Sequence, residues 1–236
     1  MTNILALDTS SDACSVALYR DGDITEDFAL AAREHTRRLL PMVDSLLQQH
    51  AMKVSDLDAI AFTRGPGSFT GVRISLGIVQ GLAFGADIPL IPVSTLETMA
   101  AGLRRTRPEF AKMGVSVALD ARMSEVYFCA YNAQGKGGEE CVIAPEKLLA
   151  SPDLWTQADP WIGIGPGWHY EAMAELGAKH VIQEVYPHAH DVAALALDAF
   201  NRGAVVSAEE AEPVYLRDTV SWKKREKKRS PNSHKA

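Results

Sequence analysis

Little in this chain commits it to a special environment. Its 236 residues hold three cysteines, Cys14, Cys129 and Cys141, an odd number with no CxxC spacing. That excludes a disulfide framework or a zinc ribbon and fits reduced thiols buried in strands. No stretch approaches the roughly 18 consecutive apolar residues of a membrane span. Met1-Thr2-Asn3 carries no positive charge and Ile4 to Leu7 is too short for a signal-peptide core, so a cytoplasmic protein is expected. None of the seven histidines pairs with another at i, i+4, and His188-Ala-His190 sits in a proline-flanked loop. HExxH and Gly-x-Ser-x-Gly are also missing, which removes the common protease mechanisms.

Charge is present but unevenly placed. From Lys223 to Ala236 seven basic residues face one acid, so within a net charge of −6 the rest of the chain stands near −12. A basic segment rich in Ser, Pro and Asn, spanning 219–236, is expected to be a disordered tail. It either stays solvated, the reading favoured here, or touches RNA phosphates by counterion release. An acidic body argues against the chain being the principal RNA-binding surface.

With 47% hydrophobic residues the chain can bury one large core or two modest ones. Strands are expected at Asn3 to Asp8, Cys14 to Tyr19 and Ile24 to Leu30, with a hairpin turn at Asp21-Gly22. His35 to His50 reads as a helix whose apolar residues spread over more than one side. A strand at Ala59 to Thr63 leads through Arg64-Gly-Pro-Gly-Ser-Phe-Thr-Gly71 into a second helix ending near Gly85. Ser68 or Thr70 caps it, with Gly65 and Gly67 supplying the turn. Pro89 to Val93 is a strand, and Ser94 or Thr95 caps a third helix.

The second half opens as the first does. Ala118-Leu-Asp120, a turn, then Glu125 to Tyr131 follows Ala6-Leu-Asp8 through Tyr19 at an offset of 112 residues, pairing Tyr19 with Tyr131. An apolar strand ending in Asp, occurring twice, implies an internal duplication. The expected fold class is α/β, with two mixed-sheet domains at 1–103 and 104–218. A helix near 191–201 is expected to pack back on the first domain.

A duplicated unit with Asp closing its first strand resembles the actin/Hsp70-like (RNase H-like) superfamily. The words Ala6-Leu-Asp-Thr-Ser10, Arg64 to Arg73, Ala118-Leu-Asp-Ala-Arg122 and Pro213-Val-Tyr-Leu-Arg217 are similar to those of the TsaB family, over Ile4 to about Arg217. The resemblance implies a non-catalytic paralogue of the transferase subunit TsaD. Such a chain would act with TsaD and the ATPase TsaE in forming N6-threonylcarbamoyladenosine beside the tRNA anticodon, and would pair with itself when TsaD is absent. TsaD carries His-x3-His on the helix after the strand equivalent to Pro89–Val93. Here those positions read Thr95 and Met99, so neither metal nor cofactor is expected.

Asp8, Ser10 and Ser11 could form a vestigial phosphate loop, or a tight turn that satisfies its own backbone, and the second reading is preferred. Gly163 to Gly167 could serve an adenosine or only a strand-to-helix turn. These features sustain the alternative of an independent ATP-dependent phosphotransferase. Arg122 is expected to pair with a nearby acid, and Tyr215-Leu216 to be a strand segment. Gly77, Gly81 and Gly85 recur at i, i+4, i+8, each costing up to about 1 kcal/mol against alanine in a helix. The compensation is either internal packing or the close approach of a partner. The resemblance places the partner interface on the first two helices, at His35, Leu39, Leu40, Val43, Leu46 and Leu47 with Arg73, Leu76, Gly77, Gln80 and Gly81.

Overall fold

The computed structural model describes residues 2–155 and 160–217. The expected basic tail lies outside the described residues. Two five-stranded sheets carry the fold. The first has the order β3-β2-β1-β4-β5, built from β1 (Asn3–Asp8), β2 (Ala13–Arg20), β3 (Asp23–Leu30), β4 (Ala59–Thr63) and β5 (Leu90–Val93). The second has the matching order β8-β7-β6-β9-β10, from β6 (Gly114–Asp120), β7 (Val126–Tyr131), β8 (Cys141–Ile143), β9 (Trp161–Ile164) and β10 (His180–Ile182). In both, the first two strands run antiparallel and the last two join parallel. This is the duplicated, actin-like α/β fold.

The repeat is not one constant offset. Asp8 pairs with Ser15, but Asp120 pairs with Val126, so the second turn is a residue shorter. Tyr131 therefore stands opposite Val115, where the first sheet sets Arg20 opposite Asn3, and Tyr19 matches Ala130 instead. A one-residue slip reverses which sheet face a side chain meets, and Tyr131 is buried beneath its sheet.

Strand alternation assigns the faces of the first sheet. Leu5, Leu7, Val16 and Leu18 point to α1 (His35–Gln49) and α2 (Phe69–Ala86). Ile4, Ala6, Ala17, Ala59 and Ala61 point the other way, where small residues let α6 (Ala189–Asn201) lie close. The helix that ends each repeat packs under the other repeat's sheet. α3 (Thr95–Thr106) buries Leu96, Met99 and Leu103 against Val115, Val117 and Ile164, and α6 lies under the first sheet. Where the two helices meet, Arg105 donates two hydrogen bonds to the buried Asp191, at 2.8 and 2.9 Å. The remaining face of the second sheet is covered by α4 (Pro145–Leu149), α5 (Glu171–Ala174) and a cluster of Trp161 and Trp168. Between β9 and β10 the chain makes a 3-10 turn, Pro166–His169, followed by the short α5.

Local chemistry sets the element ends. Asp21 and Gly22 both take positive φ, 52° and 101°, the twist a two-residue hairpin needs. Ser68 caps α2, its hydroxyl accepting from the Gly71 N–H at 3.2 Å, and Ser94 caps α3 through the Glu97 N–H at 3.2 Å.

Candidate functional site

A cavity of about 1080 Å³ lies between the two sheets, lined by the turns that follow β1 and β6. The two aspartates that end those strands differ sharply. Asp8 is fully buried, and its Oδ1 accepts from the Ser10 N–H at 3.2 Å and from the hydroxyls of Ser10 and Thr63 at 2.6 Å each. Burial pushes its carboxyl up to about 6, opposed by the Ser10 and Thr63 hydrogen bonds. Ser11 turns its hydroxyl to the Ala13 N–H at 3.1 Å. The Ser10 carbonyl accepts from the Ser68 N–H at 2.7 Å, and a Cβ on Gly67 would come within 2.5 Å of that oxygen. The start of α2 therefore packs on the turn, and the Ser10 and Ser11 hydroxyls are spent on their own loop.

Asp120 lines the cavity instead, accepting from the Arg122 N–H at 2.8 Å and the Tyr170 hydroxyl at 3.1 Å. Its other oxygen lies 3.3 Å from the Arg122 guanidinium. The glycines of the second half are filled from within. A Cβ on Gly163 would collide with the Trp168 ring, and Cβ atoms on Gly165 and Gly167 would meet Ala118. Trp168 donates its indole N–H to the Ser116 carbonyl at 3.2 Å, so these glycines admit a packed tryptophan and a close turn. Thr95 and Met99 are both fully buried, and Met99 belongs to the core of the second sheet. Among the described residues no three His, Cys, Asp or Glu side chains cluster as metal ligands.

The residues expected at a partner interface divide into two groups. His35, Leu39, Val43, Leu46, Leu47 and Leu76 are buried in the chain's own core, with His35 Nε2 3.1 Å from the Ala13 carbonyl. The apolar residues of α1 thus form one inward face rather than several, and Leu40, 47% exposed, is the exception. Gln80 is spent inside the chain, donating to the Ala208 and Ala211 carbonyls at 2.9 and 3.1 Å. Arg73, Gly77 and Gly81 are exposed, and so is Gly85. A Cβ on any of the three glycines would meet nothing within 4 Å among the described residues, which leave the strip unfilled. α2 is long and apolar enough by composition to pass for a membrane span, yet only its Val72, Ser75, Leu76, Val79 and Ala83 side is buried.

Three features were not anticipated from the sequence. Phe84, 73% exposed, lies seven residues beyond Gly77 and so on the same face of α2, a spacing the sequence does carry. At the start of α2 the Arg73 guanidinium lies 3.3 Å above the Phe69 ring centre and 4.9 Å from that of Tyr215. Tyr215 belongs not to a strand but to an irregular segment that crosses from one sheet to the other. The Val214 N–H binds the Arg64 carbonyl at 2.8 Å, and Arg217 reaches the Ala121 carbonyl at 3.2 Å and pairs with Glu125.

Comparison with known proteins agrees with this architecture. The family model of TsaD, tRNA N6-adenosine threonylcarbamoyltransferase, matches residues 29–218. The chain is 44% identical to the tRNA threonylcarbamoyladenosine biosynthesis protein TsaB of Escherichia coli, covering 94% of this chain and 97% of that one. It is 41% identical to TsaB of Haemophilus influenzae, covering 94% and 96%. The solved structure of YeaZ from Pseudomonas aeruginosa superposes with a TM-score of 0.83 at 45% identity, covering 92% of this chain and all of that one. Repeat, sheet order and full-length similarity agree: the chain belongs to the TsaB family of tRNA threonylcarbamoyladenosine biosynthesis proteins.

Proposed function

We propose that this chain is a non-catalytic subunit that docks on a TsaD-like transferase and, with a TsaE-like ATPase, permits formation of N6-threonylcarbamoyladenosine at the adenosine next to the tRNA anticodon. The observation that carries this reading is the outward face of α2. Three glycines lie open there beside the exposed Phe84, on a helix apolar well beyond its buried side. Each glycine weakens the helix, and no packing among the described residues offsets that. A flat strip flanked by an aromatic lets a second helix approach closely, which offsets the loss once a partner is bound. Leu40 on α1 and Arg73 on α2 extend the docking surface, within the domain assigned to 1–103. The same face would pair two copies of the chain when the transferase subunit is absent.

The absence of catalysis is supported by chemistry. Thr95 and Met99 stand where the resemblance to TsaD places paired histidines, and neither side chain is an adequate ligand for a borderline metal. The buried turn at Asp8 and the filled glycines of the second half weigh against the phosphotransferase alternative. Threonylcarbamoylation of tRNA, reconstituted with this chain omitted, added or alone, tests the reading. The chain should be inert alone and required beside the other two subunits. Transfer or ATP hydrolysis by the isolated chain would overturn it.

A further inference from the structure

The cavity between the two sheets carries donors that the fold itself does not use. We propose that the start of α2, with Arg73 and Thr95, binds a small organic anion, its carboxylate or phosphate held by these donors and its apolar body against the cavity wall. Such a site does not depend on docking through the glycine strip, and either can fail alone.

Thr95 opens α3 and lines the cavity, yet it is fully buried and its Oγ1 meets no hydrogen-bond partner among the described residues. A buried hydroxyl is costly to leave unpaired, which asks for a group from outside the chain. The Thr95 N–H binds the Gly65 carbonyl at 3.0 Å, fastening the start of α3 to the loop that leads into α2. At the start of α2 the donors can be followed one by one. The Ser68 N–H goes to the Ser10 carbonyl at 2.7 Å, the Gly71 N–H to the Ser68 hydroxyl at 3.2 Å and the Val72 N–H to the Ser68 carbonyl at 2.9 Å. The N–H groups of Phe69 and Thr70, both residues of the cavity wall, are left without a partner among the described residues. Free N–H groups at the positive end of an 18-residue helix favour a negative charge.

Arg73 adds a fixed cation to the same wall. Its guanidinium is stacked 3.3 Å above the Phe69 ring centre, 4.9 Å from that of Tyr215, and donates to the Phe69 carbonyl at 3.1 Å. No acid pairs with it among the described residues, whereas Arg122 is taken by Asp120 and Arg217 by Glu125. The other acids of the wall, Asp12 and Glu184, are exposed. Leu119 and Pro187 line the cavity from buried positions and give it an apolar side, and about 1080 Å³ is room enough for a small molecule. A water at Thr95 would answer the hydroxyl alone, whereas an anion answers the hydroxyl, the N–H groups and the guanidinium together. These donors are not those of the phosphotransferase alternative, whose turn hydroxyls and glycines are spent within the fold.

The test titrates the full chain with benzoate and with phenyl phosphate, followed by ligand-observed NMR, with benzyl alcohol as the neutral control. At least one anion should bind about tenfold tighter than benzyl alcohol, and the better of the two tells a carboxylate site from a phosphate site. Thr95→Val keeps the shape, removes the unpaired hydroxyl and leaves the docking face untouched. It should weaken the anion about fivefold while its thermal melt is unchanged or raised. Arg73→Gln should weaken the anion about tenfold and leave benzyl alcohol as it was. The proposal is overturned if neither anion binds better than benzyl alcohol. It is equally overturned if Thr95→Val and Arg73→Gln bind the anions as the parent does, which puts any binding elsewhere on the chain.

Discussion

Thr9 and Gly71 are locked back to back: the Thr9 hydroxyl donates to the Gly71 carbonyl at 2.7 Å, and a Cβ on Gly71 would overlap the Thr9 carbonyl oxygen. The clash is with backbone at the joint between β1 and α2, so nothing there can swing aside. Gly71→Ala should cost about 3 kcal/mol or more in urea unfolding. Gly81→Ala, on the same helix but facing open space, should instead gain up to about 1 kcal/mol. Equal effects at the two sites would contradict this reading of α2.

Asp8 makes stability depend on pH. Its carboxyl is pushed up to about 6 in the folded chain from 3.8, first by burial, so the folded state holds the proton more tightly than the unfolded one. The stabilisation is fully present below about pH 4 and is lost as pH rises through 6. Asp8→Asn keeps an oxygen for Ser10 and Thr63 without the charge. Measured against that variant, the parent should lose about 2 kcal/mol between pH 4 and pH 7. A difference that does not change with pH would show that Asp8 is not buried as a carboxylate.

Arg105 and Asp191 pin the two crossing helices. Arg105→Ala would strand the buried Asp191 carboxylate, with His190 Nδ1 at 3.7 Å the only cation left to it among the described residues, and should destabilise the chain by about 3 kcal/mol. The double variant Arg105→Ala, Asp191→Ala should recover part of that loss, because no charge is then left unpaired. Additive losses in urea unfolding would mean the two side chains act independently.

Much of the frame is legible in the sequence because it rests on local rules. Strands ending at Asp8 and Asp120, the Asp21-Gly22 turn and the caps at Ser68 and Ser94 are set by neighbouring residues. The face of α1 is misread when Leu40 is counted with Leu39, Met42, Val43, Leu46 and Leu47, which fall on one side without it. The shift of Tyr131 to the place of Arg20 turns on a single missing turn residue, which a repeat in letters hides. The glycine spacing announces a flat strip, but only the packing of α2 decides that it faces outward. The hold of Arg217 on Ala121 is closed by the fold across 96 residues, beyond any local pattern.

The most direct test is the affinity of Gly81→Leu for a TsaD-like subunit, read by calorimetry beside the parent chain, with a thermal melt of each alone. A leucine meets open space in the isolated chain, so the melt should be unchanged or slightly raised. Docking should be lost, because the strip a partner helix would approach is filled. Native affinity with Gly81→Leu would contradict the account and move the interface off α2.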